Sequence, residues 1–236
     1  TQDSTPHPPL SFIPTASDEL YEEWGYRRYS WYPPTGDFTK ATVVRAKAFK
    51  EGTLPSQVAT ATYFIDDDIH QRFDLPVIFI TTDKDNLFDY EEGIYILGKD
   101  FDEWRQKNPD EKVLGNVPAN YSREGVEWEK PIHIEFYEAD GTLGFSQAGG
   151  LRIHGGFTRA WAQKTLRIYA KKDYDQEGYF NYEIFPGLKK SSNNGTMQQF
   201  KRLILRNSGN DWTYTLFRDG LIHEIVKDFK IDTQAY

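Results

Sequence analysis

The sequence contains no cysteine, and this absence removes two kinds of structure at once. Without thiols the chain forms neither a disulfide scaffold nor a thiolate metal site. The sequence has only five histidines, and none lies at the short spacing that places two imidazoles on one face of a helix. We therefore expect no metal site in this sequence.

Long apolar runs and a net positive charge are also missing. No window approaches the ~20 apolar residues of a membrane-spanning helix, and no apolar stretch near Thr1 resembles a secretion signal. The formal net charge is −8, which disfavours a general affinity for nucleic acid or anionic membranes. We expect no membrane span and no nucleic-acid partner.

The chain does have the material for real hydrophobic cores. Its 236 residues are 38% apolar and 16% aromatic, enough for one large or two modest domains. A polar, acidic stretch at residues 66–74 marks a boundary between two β-rich parts. Its adjacent carboxylates favour a solvated linker over a calcium loop, which needs alternating oxygen ligands and a glycine. We therefore divide the sequence into residues 1–68 and 72–236.

The first part ends in a predicted β-hairpin. Residues 40–50 alternate as a strand requires, Gly52 and Pro55 mark a turn, and residues 58–65 are β-branched and aromatic. The aromatic-rich residues 21–32 precede this hairpin. They either fill the core of a small β-domain or stack on sugar rings, and both uses stay open.

The second part begins with apolar strand patterns separated by loops. Residues 75–81 (LPVIFIT) predict a strand buried on both faces, and residues 93–98 (GIYILG) predict a second strand after a turn at residues 86–88. Residues 100–123 are charged and have no sustained period. We expect them to form an excursion on the surface.

A regular β meander follows, and the sequence ends in a helix pattern. Residues 131–137 (PIHIEFY) alternate between apolar and polar side chains, and Asp140 and Gly141 supply a hairpin turn. Further strands are predicted at residues 151–153, 166–170 and 200–207, and an amphipathic helix at residues 215–229. Asp211 or Thr213 is expected to cap this helix.

The most informative stretch is residues 149–174, which combines two glycine pairs with a group of cations. Glycine pairs let the backbone turn sharply and approach a ligand without Cβ clashes. The neighbouring cations are Arg152, Arg159, Lys164 and Arg167. This combination suits a phosphate, but it also fits a β-hairpin whose basic side chains are solvated. Lys164 lies an even number of residues before Leu166, so its side chain is expected on the apolar face of the strand. Its ammonium must then reach solvent or find an anion.

Several separated blocks, in the same order, resemble the CotH family of spore-coat protein H kinase-like proteins. The blocks are LPVIFITTDKDNLFDYEEGIYILG, WEKPIHIEFYEADG, GGLRIHGGFTRAWAQKTLRIYAKKDY, FKRLILRNSGNDW and TLFRDGLIHEIVKD. This resemblance runs from about Leu75 to Tyr236. Ahead of it, VVRAKAFKEGTLPSQVATATYFI resembles the last two strands of the chitobiase/β-hexosaminidase C-terminal-like module, an immunoglobulin-like sandwich.

These resemblances imply an α+β fold in two parts. Residues 1–68 would form a small antiparallel β-sandwich-like segment. Residues 72–236 would form the β-rich N-terminal part of a kinase-like domain, with one main helix near the C-terminus. Some CotH members phosphorylate extracytoplasmic proteins on serine with ATP, which implies a secreted or cell-surface protein with a protein substrate.

Other CotH members are surface or adhesion proteins, so activity does not follow from membership. The alternative is therefore an extracellular carbohydrate-binding or adhesion module that holds a glycan or surface ligand through its aromatic side chains. The tryptophans available for this are Trp24, Trp31, Trp104, Trp128 and Trp161. A purely structural piece of a secreted multidomain protein is the third interpretation.

The CotH resemblance also implies a set of nucleotide-binding residues. The candidates for cradling or countering nucleotide phosphates are Arg152, Gly155, Gly156, Arg159 and Lys164. Glu224 on the last helix is the candidate partner that would orient Lys164, although a local pair with Lys227 is the more ordinary arrangement. Asp211 and Arg218 match the family spacing at the helix start, where we expect a structural bond.

Family members continue beyond the final DTQAY into a helical lobe that carries the magnesium-binding asparagine and aspartates. We therefore expect ATP and Mg as cofactors of the full-length parent, and none bound to this fragment. No catalytic residue is assigned within the sequence. Because phosphoryl transfer depends on metal-bridged phosphate charge, the fragment is expected to be inactive by itself.

Overall fold

Antiparallel sheets and three helices make up the described part of the chain. The computed structural model describes residues 40–65, 73–111, 113, 115–161, 163–190, 192–211 and 214–229. The strands are β1 (Ala41–Ala46), β2 (Ala59–Phe64), β3 (Val77–Thr81), β4 (Lys130–Tyr137), β5 (Leu143–His154), β6 (Thr165–Tyr169), β7 (Phe180–Asn181), β8 (Gln199–Phe200) and β9 (Arg202–Leu205). The helices are α1 (Lys84–Phe88), α2 (Gly98–Lys107) and α3 (Arg218–Val226). The predicted α+β class is confirmed. The predicted aromatic segment at 21–32 and most of the predicted linker at 66–74 lie outside the described residues.

A five-stranded antiparallel sheet in the order β3-β4-β5-β6-β9 is the centre of the fold. Alternate side chains of a strand point to opposite faces, so each strand can bury one face. Ile132, Ile134 and Phe136 of β4 are buried on the same face as Leu151 and Ile168 of the neighbouring strands. The predicted alternation of β4 is therefore confirmed.

An irregular layer from residues 180–200 covers the apolar face of this sheet. Phe180 is fully buried and lies against Phe145, with the ring centroids 5.4 Å apart. Phe185 and Phe200 meet edge to face at 5.6 Å. These aromatic pairs close this part of the core, and Leu87 of α1 also packs against it.

A second, smaller core forms where a surface excursion was predicted, so that prediction for residues 100–123 is wrong. Its buried members are Leu97, Phe101, Val113, Val117, Ala119, Tyr121 and Ala160. Helix α2 contributes Phe101, and the 3₁₀ turn Asn120–Ser122 contributes Tyr121. The apolar residues are too widely and irregularly spaced along the chain to produce a periodic pattern. They meet only because the segment folds back on itself.

The prediction of a strand at residues 93–98 is also wrong. Ile94 and Tyr95 donate their backbone N–H groups to carbonyls of α1 at 3.1 and 2.9 Å. The carbonyls of Ile96 and Leu97 accept from the turn Asn120–Ser122 at 3.2 and 2.7 Å. Loop-to-loop hydrogen bonds therefore satisfy this buried backbone in place of a sheet ladder.

The strand predicted at residues 75–81 is present as β3, but it is not buried on both faces. All of its residues are half-buried, because β3 is the outermost strand of the central sheet. The turn predicted at residues 86–88 is the end of the one-turn helix α1. A continuous apolar run does not distinguish an edge strand from a central one.

The predicted hairpin of β1 and β2 is confirmed. The two strands pair antiparallel from Ala41 with Phe64 to Ala46 with Ala59, and Gly52 has a positive φ of 73° in the turn. The hairpin attaches to the central sheet through a buried carboxylate. Thr62 donates its backbone N–H to Glu135 Oε1 at 3.1 Å and its hydroxyl to Oε2 at 2.5 Å. The chitobiase-like module and the division at residues 68 and 72 stay predictions.

Replacing Thr62 with valine tests this attachment. The substitution keeps the shape but removes the hydroxyl, which leaves one oxygen of the buried Glu135 carboxylate without its short hydrogen bond. We expect the free energy of unfolding to fall by about 2 kcal/mol in urea denaturation. Thr42→Val on the exposed strand β1 is the control, with an expected change below about 0.5 kcal/mol. Equal losses in the two variants would contradict the role of the Thr62 hydroxyl.

Helix α3 is shorter than the predicted residues 215–229. Its N-cap residue is Phe217, which makes no side-chain capping bond, so Asp211 is not the N-cap that the sequence predicted, and Thr213 lies outside the described residues. Asp211 Oδ2 accepts the backbone N–H of Arg218 at 3.1 Å, and Arg218 Nε lies 3.0 Å from Asp211 Oδ1. The structural bond expected between these two residues is therefore confirmed. The apolar side chains of the helix are exposed in this structure, including Leu221, Ile222 and Ile225.

Candidate functional site

A tight loop joins β5 to β6 and ends at Lys164. Gly155 has a φ of 115°, a conformation that residues with a side chain rarely adopt. No atom lies within 4 Å of the position a Cβ would occupy at Gly156. The 3₁₀ turn Phe157–Ala160 follows and returns the chain to the sheet. The second glycine pair thus forms an open bend in front of Lys164.

The ammonium of Lys164 points into the protein. Its Nζ donates to the backbone carbonyls of Arg159 at 2.6 Å and Trp161 at 2.9 Å. The same Nζ lies 4.2 Å from the ring centroid of Tyr121 and 5.1 Å from that of Tyr95. Among the described residues no carboxylate pairs with Lys164. Carbonyl dipoles and aromatic faces therefore stabilise this cation without a counter-charge.

This enclosure changes the acidity of Lys164. Burial lowers the pKa of Lys164 to about 7, and the nearby guanidinium of Arg159 acts in the same direction. The side chain is then divided between the ammonium and the neutral amine at neutral pH. An anion placed beside Nζ would restore the charged form.

Arg159 holds the loop together. Its Nε donates to the Gly155 carbonyl at 2.5 Å, and its Nη1 donates to the carbonyls of Tyr121 at 3.1 Å and Arg123 at 3.3 Å. Its Nη2 lies 3.0 Å from Glu124 Oε1. The guanidinium therefore ties the bend between β5 and β6 to the second core. A direct contact with phosphate would require some of these bonds to break.

Arg152 lies on the other face of the sheet. It donates to Glu129 Oε2 from Nε at 2.8 Å and approaches the same oxygen with Nη2 at 2.6 Å. Its guanidinium also lies over the ring of Tyr169, 4.6 Å from the centroid. Arg152 and Tyr169 therefore share one face of the sheet. Lys164 comes directly before β6, and its parity is opposite to that of Tyr169, so its side chain belongs to the other face. The structure does not bring Arg152 and Lys164 together.

The first glycine pair has a different role from the one the sequence indicated. Gly149 and Gly150 lie inside β5, away from the bend. A Cβ at Gly150 would lie 2.6 Å from Glu129 Oε1, and one at Gly149 would lie 2.8 Å from the carbonyl oxygen of Tyr169. These glycines make room for a neighbouring carboxylate and strand rather than for a ligand.

Glu224 lies on the exposed side of α3. Its carboxylate pairs with Lys227 one helical turn away, and both side chains are more than half exposed. The described structure contains no ion pair between Glu224 and Lys164. The local pair that the sequence left open is the one that forms.

Sequence patterns did not indicate a role for Tyr95 and Tyr121, whose rings enclose the Lys164 ammonium. Tyr95 accepts the backbone N–H of Lys164 at 3.2 Å across a separation of 69 residues. Both tyrosines come from segments predicted as a strand and a surface excursion. Only their aromatic identity beside buried aliphatic residues could have suggested a role near a cation.

Two tryptophans considered as sugar platforms are packed against other side chains. Trp104 lies against Phe101, and the guanidinium of Arg105 lies 5.5 Å from its ring centroid. Trp128 carries the guanidinium of Arg123 at 4.0 Å. These faces are already in contact with protein.

Within the described ranges, no group of three or more His, Cys, Asp and Glu side chains is arranged to hold a metal ion. None of the helices in those ranges combines the length and apolar character needed to cross a membrane.

The fold and this site define a mixed α+β domain whose central antiparallel sheet carries a buried lysine behind a glycine bend. The family model described as CotH kinase protein matches residues 151–236. This stretch includes the glycine bend, Lys164 and helix α3, so the predicted resemblance to the CotH family is confirmed over these residues. No curated protein and no solved structure gives a significant match to the chain.

Proposed function

We propose that this domain is the nucleotide-binding part of a CotH-type protein kinase, which phosphorylates serine residues of extracytoplasmic proteins with ATP. Lys164 is the residue that holds the nucleotide phosphates. Secretion or display at the cell surface, and a protein as the substrate, belong to the same proposal.

The observation that carries the proposal is the burial of Lys164 without a carboxylate partner among the described residues. Taking an ammonium out of water is costly unless an anion compensates for it. An apolar side chain would fill the same space at less cost. The lysine lies in the stretch that matches the CotH family, and the open bend at Gly155 and Gly156 lies close to it in the chain.

The residues of the bend fit an anionic phosphate chain. Lys164 supplies the charge, Gly156 leaves free space beside the backbone, and the N–H groups of the bend are potential donors. Arg159 keeps the bend in place through the Gly155 carbonyl and so acts as a positioning residue. A bound magnesium ion would neutralise phosphate charge during transfer, and we assign no residue of the described ranges to it.

From the sequence we expected no nucleotide bound to this fragment, but the burial of Lys164 leads us to expect that the chain of residues 1–236 itself binds ATP. Calorimetric titration of this chain with ATP and magnesium tests the proposal. Lys164→Met is expected to weaken ATP binding at least about tenfold, because it removes a charge-assisted hydrogen bond. Lys84→Met, on the exposed side of α1, is the matched control. It should bind ATP like the unsubstituted chain of residues 1–236, which we call the parent chain. Failure of the parent chain to bind ATP, or equal binding by Lys164→Met, would refute the proposal.

The same titration has a second readout. At pH 8 a lysine with a pKa of about 7 is mostly neutral before binding. Contact with phosphate favours the ammonium, so binding should take up close to one proton per ATP. The uptake is measured from the dependence of the binding enthalpy on the ionisation enthalpy of the buffer, and it should vanish in Lys164→Met.

A further inference from the structure

The face of the central sheet that carries Arg152 holds a basic cavity of about 690 Å³. The cations that line this basic cavity are Arg152, Arg167, Lys171, Lys172, Lys201 and Arg202, and the lining carboxylates are Asp173 and Glu177. The formal charge of the whole chain is −8, so the cavity is a local exception to the acidic character of the protein.

Strand register places these cations side by side. Arg152 of β5 lies opposite Arg167 of β6, and Tyr169 of β6 lies opposite Arg202 of β9. The buried ring of Tyr169 supports Arg152 at 4.6 Å, Lys171 at 5.1 Å and Arg202 at 5.7 Å. A fixed aromatic platform therefore limits the freedom of three cations before any ligand arrives.

Only some of this charge is compensated inside the protein. Glu129 pairs with Arg152 and Lys171. Among the described residues, no carboxylate forms an ion pair with Lys172, Lys201 or Arg202, which are exposed at the opening of the cavity. The surplus of positive charge is thus concentrated where a ligand would enter.

We propose that the basic cavity binds a short acidic peptide segment of a protein partner. Carboxylates match the planar fork of arginine, which supplies paired hydrogen bonds. The volume lies within the ~300–1,000 Å³ typical of sites that enclose a small ligand, so it suits a few residues rather than a folded surface. The site lies on the opposite face from Lys164 and does not depend on nucleotide binding.

The negative net charge of the chain favours a short peptide over a nucleic acid as the ligand of the basic cavity. Salt limits electrostatic attraction to about 8–10 Å, so a short acidic segment inside the cavity responds to the local cations. A long polyanion would extend beyond the cavity and meet the acidic surface of the remaining protein. A short peptide is therefore the ligand that this distribution favours.

Fluorescence anisotropy with a labelled eight-residue glutamate-rich peptide tests the proposal. We expect saturable binding at low salt and at least about tenfold weaker binding by the Lys201→Glu/Arg202→Glu double variant. Lys47→Glu/Lys50→Glu on the exposed hairpin changes the net charge by the same amount and should reduce binding less than about twofold. Both variants should keep the unfolding midpoint of the parent chain.

Three results would overturn the proposal. They are an absence of peptide binding by the parent chain, equal weakening by the two double variants, and tighter binding of a single-stranded oligonucleotide of the same length. ATP binding by the Lys201→Glu/Arg202→Glu variant is expected to be unchanged. Failure of the peptide site and failure of the nucleotide site are therefore distinguished in one preparation.

Discussion

Replacing Glu129 with glutamine is expected to lower the free energy of unfolding by about 3 kcal/mol. The Glu129 side chain is 2% exposed, and its Oε1 accepts from Lys171 Nζ at 2.5 Å and from the Tyr174 hydroxyl at 3.0 Å. Its Oε2 accepts from Arg152. Removing the charge leaves two partly buried cations without their partner. Because both remain about a quarter exposed, we place the cost at the lower end of the range for broken buried pairs.

The effect of Glu129 depends on pH in a defined direction. Burial alone would raise the pKa of this carboxyl, but hydrogen bonds from Lys171, Arg152 and Tyr174 outweigh burial and hold the pKa below its ordinary value of 4.5. The ionised form is therefore favoured in the folded state. Its contribution is fully present above the unfolded pKa and is lost as the pH falls through the lower folded pKa.

Chemical denaturation at pH 7 and at pH 3 measures both parts of the Glu129 prediction. The difference in unfolding free energy between the parent chain and Glu129→Gln should be smaller at pH 3. Glu127→Gln, two residues earlier and exposed, is the control and should change stability by less than about 0.5 kcal/mol. The prediction fails if the two glutamine variants lose the same stability.

Between pH 6 and pH 10.5, the unfolding free energy of Lys164→Met is expected to fall by about 3–5 kcal/mol relative to that of the parent chain. The folded pKa of Lys164 is about 7, and its ordinary value is 10.5. Below the folded pKa both states carry the proton, and the folded state bears the full cost of a buried charge. Between these two values the folded state releases its proton first, so the parent chain gains stability as the pH rises. Methionine has no proton to release, so Lys164→Met does not gain stability in this way.

The measurement is the difference in unfolding free energy between Lys164→Met and the parent chain from pH 6 to pH 10.5. The variant should have its greatest relative stability at pH 6, and this relative stability should fall steadily above pH 7. Lys84→Met should show a flat difference over the same range, because its side chain is exposed. A flat difference for Lys164→Met as well would show that the ammonium is not buried in solution.

Local patterns predicted several regular elements of this protein, although they missed helix α2. The alternation in β4 and the pairing of β1 with β2 both follow from side-chain order within a few residues. The bond between Asp211 and Arg218, seven residues apart, was expected from the spacing shared with the CotH family. In each case the deciding contact is close in sequence.

The irregular segments could not be predicted in this way. Residues 93–98 are apolar enough for a strand, but they pair with a helix end and a distant turn. Residues 100–123 resemble a surface loop in composition, yet Phe101, Val113 and Tyr121 are buried in the second core. Their burial depends on the path of the chain rather than on a periodic pattern.

The candidate site shows the same division. Lys164 was identifiable from its parity in the strand, and the glycine bend from its composition. The separation of Arg152 from Lys164 depends on which face each strand buries, and the engagement of Arg159 depends on carbonyls of the second core. Glu129 and the basic cavity were not recognised, since they combine residues from several strands and loops.

The order of side chains along the chain was enough to predict several strands, the last helix, the α+β class and the concentration of cations between β5 and β6. Which of those cations have a charged partner depends on the folded arrangement. Burial and ion pairing involve groups distant in sequence, such as Tyr95 beside Lys164 and Glu129 beside Arg152. The cations that lie close together in the sequence are therefore divided between the two faces of one sheet.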